Sequence, residues 1–104
     1  MADEQQKPGI EIAERAEQAT SRPRMFQVVL HNDDYTTMDF VVEVLEHVFL
    51  KSPAEAFRIM MEVHRNGRGV GGVYPHEIAE TKSALVQSLA RERGFPLQTS
   101  VEEA

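Results

Sequence analysis

The stretch from His31 to Phe40 constrains the fold most strongly, because an apolar strand pattern ends there and an amphipathic helix pattern begins. Asn and Asp are turn formers, since their side chains bond nearby backbone groups. A turn needs one or two such residues, whereas Asn32, Asp33 and Asp34 place two carboxylates and an amide beside the apolar face that starts at Met38. Neighbouring carboxylates repel one another unless a helix N-terminus or a cation offsets them. The pattern predicts a ligand-facing corner, and a solvated helix entry is the alternative.

The segments on both sides of this corner have clear periods. Phe26, Val28 and Leu30 alternate along one face, which predicts a first strand. Thr36 followed by Asp39 has the form of a capping box and predicts the start of a helix. Apolar residues then recur at helical spacing and end near Leu50: Phe40, Val41, Val44, Leu45 and Val48.

Two further helices have recognisable starts. Ser52, Pro53 and Glu55 supply a cap, a first-position proline and an acidic first turn, so a second helix should begin at Pro53. Its apolar stripe is Phe57, Met60, Met61 and His64, widened by Ala56, Ile59 and Val63. Pro75 should start a third helix that stops at Gly94. Its apolar face holds Ile78, Leu85 and Leu89, and Glu77 lies in its first turn.

Two more strands complete the pattern. Residues 70–74 are extended, and the glycines among them predict a bulge or the close passage of another chain segment. A phosphate-binding role for these glycines is disfavoured, because no Lys-Ser/Thr pair follows them. Residues 96–101 alternate as a third strand. The order β-α-α-β-α-β predicts an α+β domain with a small antiparallel sheet covered by helices on one side.

Composition limits the size and the partners. The chain has 104 residues, which predicts one small domain. Residues 1–24 hold only Ile10 and Ile12 as branched aliphatics, so we expect a flexible arm, either a passive leader or a segment that orders on a partner. Residues 25–104 should form the core domain.

Charge and cysteine content exclude several functional classes. With 11 basic and 17 acidic residues, the formal net charge is −6, which argues against nucleic acid or an anionic membrane as partner. The chain has no Cys, so a disulfide framework and a thiolate site are excluded. No apolar run approaches a membrane span, and the start lacks the layout of a signal peptide. We therefore expect a cytoplasmic protein.

The motifs also resemble a known family. VVLHNDDYTTMDFVVEVL, then IMMEVH, then GRGVGGVYPHEIAETK and FPLQ resemble, in content and order, the ClpS adaptors of the ATP-dependent Clp protease. The resemblance implies a binding protein that catalyses no reaction and needs no cofactor or metal. It implies recognition of bacterial N-degrons, which are destabilising N-terminal residues of substrate proteins, here Leu, Phe, Tyr or Trp. It also implies their delivery to the ClpA unfoldase of ClpAP, through the ClpA N-terminal domain.

The family's site residues have counterparts here. Asn32, Asp34 and His64 match the positions that bind the substrate α-ammonium, which has three donors and no acceptor. Asp33 and Thr36 match positions that hold the loop or bond the peptide. The hydrophobic pocket corresponds to Met38, Val41, Met60, Val63 and Leu97, and unfoldase docking corresponds to Glu77 and Lys82.

Met38 is the family's gate position, which implies discrimination against Ile and Val at the first position of the substrate. A departure from the family lies next to it, because Thr37 stands where many relatives carry Pro. This exchange implies a looser loop.

Two other classes of function fit parts of the sequence. Asp33, Asp34 and His64, with His31 nearby, could form a small metal-dependent hydrolase, since carboxylates and imidazoles bind zinc or act as acid and base. Against it, the chain has no HExxH or similar local pair. Alternatively, the polar corner is only a capped turn in a structural module.

Overall fold

The computed structural model describes residues 23–104, so the predicted arm lies outside the described residues except for Pro23 and Arg24. The elements follow the predicted order: β1 (Met25–His31), α1 (Met38–His47), α2 (Pro53–Asn66), β2 (Arg68–Pro75), α3 (His76–Arg93) and β3 (Gln98–Glu103). The predicted α+β class is confirmed. No helix within the described range is long and apolar enough to cross a membrane.

The sheet has the order β2-β1-β3, and β1 pairs antiparallel with both neighbours. Val28 and Leu30 are fully buried against the helices and Phe26 packs beside them, as the alternation predicted. At the start of β1, the Ala104 N–H donates to the Met25 carbonyl at 2.9 Å. Arg24 and Glu103 form an ion pair at 2.9 Å, so the two ends of the described segment lie together.

The glycines of β2 sit at a bulge, as predicted. The register between β1 and β2 shifts between Val28 and Val29, which leaves Gly71 without a partner in the ladder. A Cβ at Gly71 would lie 3.0 Å from Leu30 and Phe49 side chains. The bulge therefore lets β2 approach the core closely at a position where a larger residue would collide.

The core lies between the sheet and all three helices. Its helical members are Phe40, Val41, Val44 and Leu45 of α1, Ala56, Ile59, Met60 and Val63 of α2, and Ala79, Val86 and Ala90 of α3. The predicted stripe of α2 was wrong at its edge, because Phe57 is 57% exposed. The predicted apolar face of α3 is only partly covered, since Ile78 and Leu85 remain 48% and 45% exposed. Small residues instead bring α3 against the sheet.

The opposite face of the sheet mixes polar and apolar side chains: Val29 is fully buried there, and its neighbours on β2 are Val70 and the half-exposed Val73. Arg68 pairs with His31 across one ladder, and Glu102 pairs with Gln27 across the other. Cross-strand partners share a face, so the Arg68–Glu102 ion pair at 2.5 Å spans β1 diagonally at Val29. This ion pair covers an apolar side chain that no helix reaches.

The helix ends follow the sequence signals only in part: α2 begins at Pro53 as predicted, whereas α3 begins at His76, one residue after the predicted Pro75. Ser52 caps α2 by accepting the Glu55 N–H at 3.2 Å, as predicted. The predicted capping box at Thr36 was wrong: Thr37 is the cap of α1 and accepts the Phe40 N–H at 3.1 Å. Thr36 is unavailable, because its hydroxyl donates to Asp33.

The end of α1 lies at His47, earlier than the apolar spacing suggested. The Lys51 N–H bonds back to the Leu45 carbonyl at 3.0 Å, and Leu50 has a positive φ of 57°. The Lys82 ammonium donates to the Val48 carbonyl at 2.8 Å, so α3 holds the end of α1.

Candidate functional site

The polar corner after β1 lies against the C-terminal end of α2. The Asn32 N–H donates to the Gly67 carbonyl at 2.9 Å, extending the β1–β2 pairing by one residue. Gly67 caps α2 with a φ of 91°, and its N–H donates to Val63. His64 stands in the last turn of α2, so these bonds place it across from the corner.

The corner and α2 enclose a cavity of about 240 Å3. Its lining combines the predicted ammonium-binding residues, the two predicted loop residues and four of the five predicted pocket residues: Asn32, Asp33, Asp34, Thr36, Met38, Val41, Met60, Val63 and His64. Leu97 is not among them. It is buried in the same core cluster as Val41, Met60 and Val63.

The cavity has an apolar wall and a polar rim. Val41, Met60 and Val63 are buried and form the wall between α1 and α2. Met38, the first residue of α1, is 42% exposed and stands at the mouth. A side chain that enters this space would therefore pass Met38 before it contacts the buried wall.

Asp33 holds the rim loop and is fully occupied by it. Its carboxylate accepts the Tyr35 N–H at 2.8 Å, and the N–H and hydroxyl of Thr36, each at 2.7 Å. Partial burial acts to raise the pKa of Asp33, but the bonds from Thr36 and Tyr35 outweigh it and hold the pKa below its ordinary value. Asp33 is therefore charged at neutral pH, and its hydrogen bonds to Tyr35 and Thr36 fix the conformation of the loop.

Asn32, Asp34 and His64 differ from Asp33. Within residues 23–104, no hydrogen bond or ion pair engages the side chains of these three. All three are exposed and line the same cavity. An amide oxygen, a carboxylate and an imidazole nitrogen can each accept a hydrogen bond, and the carboxylate is anionic. This set can bind a cationic donor group at the mouth.

The alternative metal site is not supported. The His31 ring pairs with the Ser100 hydroxyl at 2.7 Å, on the sheet face away from the helices. The Asp33 oxygens are already taken up by the loop. In the part of the chain that the structure describes, no three His, Asp or Glu side chains form a group that could hold a metal ion.

The two predicted docking residues lie on α3 in different settings. Glu77 is exposed in the first turn of the helix. Lys82 is half-buried: besides its bond to Val48, its ammonium lies 5.3 Å from the centre of the Tyr74 ring. Lys82 therefore has an internal structural role, whereas the Glu77 side chain is presented to solvent.

The sequence analysis missed Thr37 as a structural determinant of the mouth. Its cap bond to Phe40 fixes the residue immediately before Met38. The signal was present, because Thr is a favoured cap directly before an apolar helical run. Two adjacent threonines left the choice open, and only the bond between Thr36 and Asp33 resolves it.

Taken together, the fold and the cavity define a small α+β domain that presents a rim of hydrogen-bond acceptors beside an apolar cavity wall. Known proteins identify it further. The family profile of the ATP-dependent Clp protease adaptor protein ClpS matches residues 21–100. The ClpS adapter of Desulfatibacillum aliphaticivorans is 62% identical over 85 residues, covering 82% of each chain. That of Acetivibrio thermocellus is 58% identical over 81 residues, covering 78% of this chain and 82% of the relative.

A solved structure agrees with these relatives. Agrobacterium tumefaciens ClpS2 bound to L-phenylalaninamide superposes with a TM-score of 0.76 at 43% identity, covering 80% of this chain and all of that one. The chain belongs to the ClpS family of Clp protease adaptors. It is an adaptor rather than an enzyme, and its partner is an ATP-dependent Clp protease.

Proposed function

We propose that the chain binds bacterial N-degrons, the N-terminal residues Leu, Phe, Tyr and Trp, and delivers the proteins that carry them to the ClpA unfoldase of ClpAP. One observation carries the proposal: Asn32, Asp34 and His64 meet at the mouth of a cavity whose wall is apolar. A free protein N-terminus offers an ammonium next to its first side chain. The cavity offers hydrogen-bond acceptors at its rim for the ammonium and, next to them, an apolar wall for the side chain.

The rim suits an ammonium. An ammonium has three N–H donors and no acceptor, so it is satisfied by about three acceptors. Asp34 supplies the negative charge, and Asn32 and His64 offer an amide oxygen and an imidazole nitrogen as further acceptors. An acetylated N-terminus carries no charge and has one N–H, so it should bind poorly.

Neither half of the cavity is sufficient alone. Burying a Leu or Phe side chain contributes about 1.5–3 kcal/mol. Each hydrogen bond to a charged group adds about 1.5–3 kcal/mol before the cost of ordering. Micromolar affinity needs about 8 kcal/mol, so an internal Leu should not bind.

The ligand in the Agrobacterium structure supports this reading. L-Phenylalaninamide has a free α-amine, an aromatic side chain and an amide in the position of the first peptide group, and that relative is bound to it. It therefore has the chemistry of an N-terminal Phe. At 43% identity and a TM-score of 0.76, the comparison favours the same class of ligand here.

Peptide binding tests the proposal directly. We expect a fluorescently labelled Leu-initiated peptide to bind, and its acetylated twin to bind at least about 100-fold more weakly, because one charge-assisted contact set is lost. Asp34→Asn and His64→Ala should each weaken binding of the free peptide by about tenfold or more. Asp39→Asn is the matched control, because Asp39 is an exposed carboxylate in the first turn of α1 and does not line the cavity. Equal binding of both peptides would overturn the proposal.

Delivery requires a surface that docks on the ClpA N-terminal domain. We propose Glu77 as a direct contact, because it is exposed on α3, and Lys82 as a second residue of that surface. Glu77→Ala should weaken binding to the isolated ClpA domain without changing peptide affinity. Glu80→Ala is the control, since Glu80 lies on the same helix and pairs with His76. We further propose that residues 1–24 are a flexible arm preceding a core of residues 25–104, and that the adaptor acts in the cytoplasm.

A further inference from the structure

The side chain of Thr37 ties the mouth of the cavity to the core. Its hydroxyl oxygen accepts the Phe40 N–H at 3.1 Å. Phe40 is buried, and its ring centre lies 5.1 Å from that of Phe95. Because Phe40 cannot move without disturbing the core, the bond fixes Thr37 relative to a rigid point.

The other side of Thr37 is held as well. Thr36 is bound through both its N–H and its hydroxyl to the Asp33 carboxylate. The backbone before Met38 is thus restrained on both sides, by Asp33 upstream and by the cap bond downstream. Met38 itself is 42% exposed at the mouth, so its side chain is only partly packed and its position depends also on this backbone.

We propose that Thr37 is a positioning residue for Met38 and thereby sets how strictly the cavity rejects a first residue branched at Cβ. This inference rests on the proposed function. A β-branched side chain places a methyl group next to the backbone, at the level of the mouth where Met38 stands. A methyl group in the wrong place lowers affinity only if the side chain that it meets, here Met38, cannot move away. Loss of the hydrogen bond between Thr37 and Phe40 should let the backbone before Met38 move, and Met38 with it.

The test compares peptides that begin with Leu and with Ile. For each variant, the ratio of the Ile dissociation constant to the Leu dissociation constant measures rejection. Thr37→Ala should lower this ratio by about three- to tenfold, the range that the loss of one cap bond corresponds to. Thr37→Ser keeps the hydroxyl and should keep the ratio of the parent within about twofold.

A second cap separates positioning from stability. Ser52→Ala removes the cap of α2, whose bond to the Glu55 N–H is 3.2 Å, at the end of that helix remote from His64. It should lower the melting temperature much as Thr37→Ala does and leave the ratio unchanged. If Thr37→Ala lowers the melting temperature but not the ratio, the inference is wrong.

A double variant tests whether Thr37 acts through Met38. Met38→Ala should by itself admit Ile and lower the ratio. In that background, Thr37→Ala should produce no further fall, and an additive fall would contradict the inference. Failure of the parent to bind the Leu peptide would instead overturn the proposed function, so the two failures are distinguishable.

Discussion

At the scale of single residues, the three consecutive polar side chains of Asn32, Asp33 and Asp34 have different roles. Asp33 accepts three hydrogen bonds from its own loop, whereas the side chains of Asn32 and Asp34 line the cavity without a hydrogen-bond partner among residues 23–104. A loop that becomes ordered only on binding loses conformational entropy, which weakens affinity. Because the bonds to Asp33 order this loop in the free protein, Asn32 and Asp34 should lose less entropy when a ligand binds.

Asp33 gives the loop a predictable pH dependence. Because the pKa of Asp33 is lowered in the folded state, its contribution to stability is present in full above about pH 4 and is lost as the pH falls through the folded value. Asp33→Asn should destabilise the protein by about 1–2 kcal/mol at pH 7, since solvent at this partly buried site screens the charge. The difference in unfolding free energy between parent and variant should stay constant from pH 7 to about pH 4 and shrink as the pH falls further.

Urea unfolding at several pH values measures this difference. Other carboxylates also titrate in this range, but they do so in both proteins, and their effect cancels in the comparison. A difference that stays constant from pH 7 to pH 3 would contradict the role assigned to Asp33.

Sequence reasoning reached most of the site residues through the resemblance rather than through local pattern. Local pattern identifies a polar corner at Asn32 but cannot place His64 beside it, because the two lie far apart in the sequence and are brought together by tertiary contacts such as the Asn32–Gly67 bond. Leu97 shows the converse limit. It is apolar and near the end of the chain, and only tertiary packing decides that it joins the core cluster of Val41, Met60 and Val63.

At the scale of elements, the two ends of α1 are held by different means. Its start uses a local cap, and its end depends on Lys82, a residue from α3. The end also contains Leu50 at a φ of 57°, a conformation that glycine adopts without strain and that costs a residue with a Cβ about 1 kcal/mol. The connection after α1 is therefore strained locally and stabilised from a distance.

Replacing Lys82 tests this long-range support. Lys82→Met keeps much of the aliphatic stem but removes the donor to the Val48 carbonyl, and should cost about 1–2 kcal/mol of unfolding free energy. Lys51→Met is the matched control: it removes the same charge, and within the described residues the Lys51 side chain donates to no backbone carbonyl. Equal stability of the two variants in urea unfolding would contradict the structural role of Lys82.

Local signals placed the helix starts better than they placed the buried faces. Ser52, Pro53 and Glu55 act within one turn, so their pattern suffices to start α2. The face of α3 depends on its distance from the sheet, and Ala79, Ser83 and Ala90 allow a close approach that larger residues would block. Apolar Ile78 and Leu85 consequently remain at the surface, which periodicity alone cannot reveal.

At the scale of the whole molecule, different structures shield the two faces of the sheet from solvent. Helices cover one face, and the Arg68–Glu102 ion pair covers Val29 on the other. The bond to Arg68 is the main reason that the pKa of Glu102 is lowered, and bonds from Ser100 and Gln27 also lower it. The ion pair thus joins the two edge strands across β1.

A double-mutant cycle measures this link. Arg68→Met and Glu102→Gln should each lower the melting temperature, and the double variant should fall by less than the sum, because either change alone breaks the same pair. Arg58 and Glu55 form an exposed pair within α2 and provide the control cycle, for which near-additive effects are expected. Additive effects at Arg68 and Glu102 would show that the pair contributes nothing to joining the strands.

The meeting of Met25 with Ala104 has a practical consequence. β1 runs from this junction to the corner at Asn32, and its seven residues span about 20 Å. A dye or linker attached after Ala104 would therefore lie at the end of the sheet opposite the rim of the cavity. Mounted on a sensor chip by its carboxyl end, the molecule would face solution mouth outward, with its immobilisation chemistry kept away from arriving peptides.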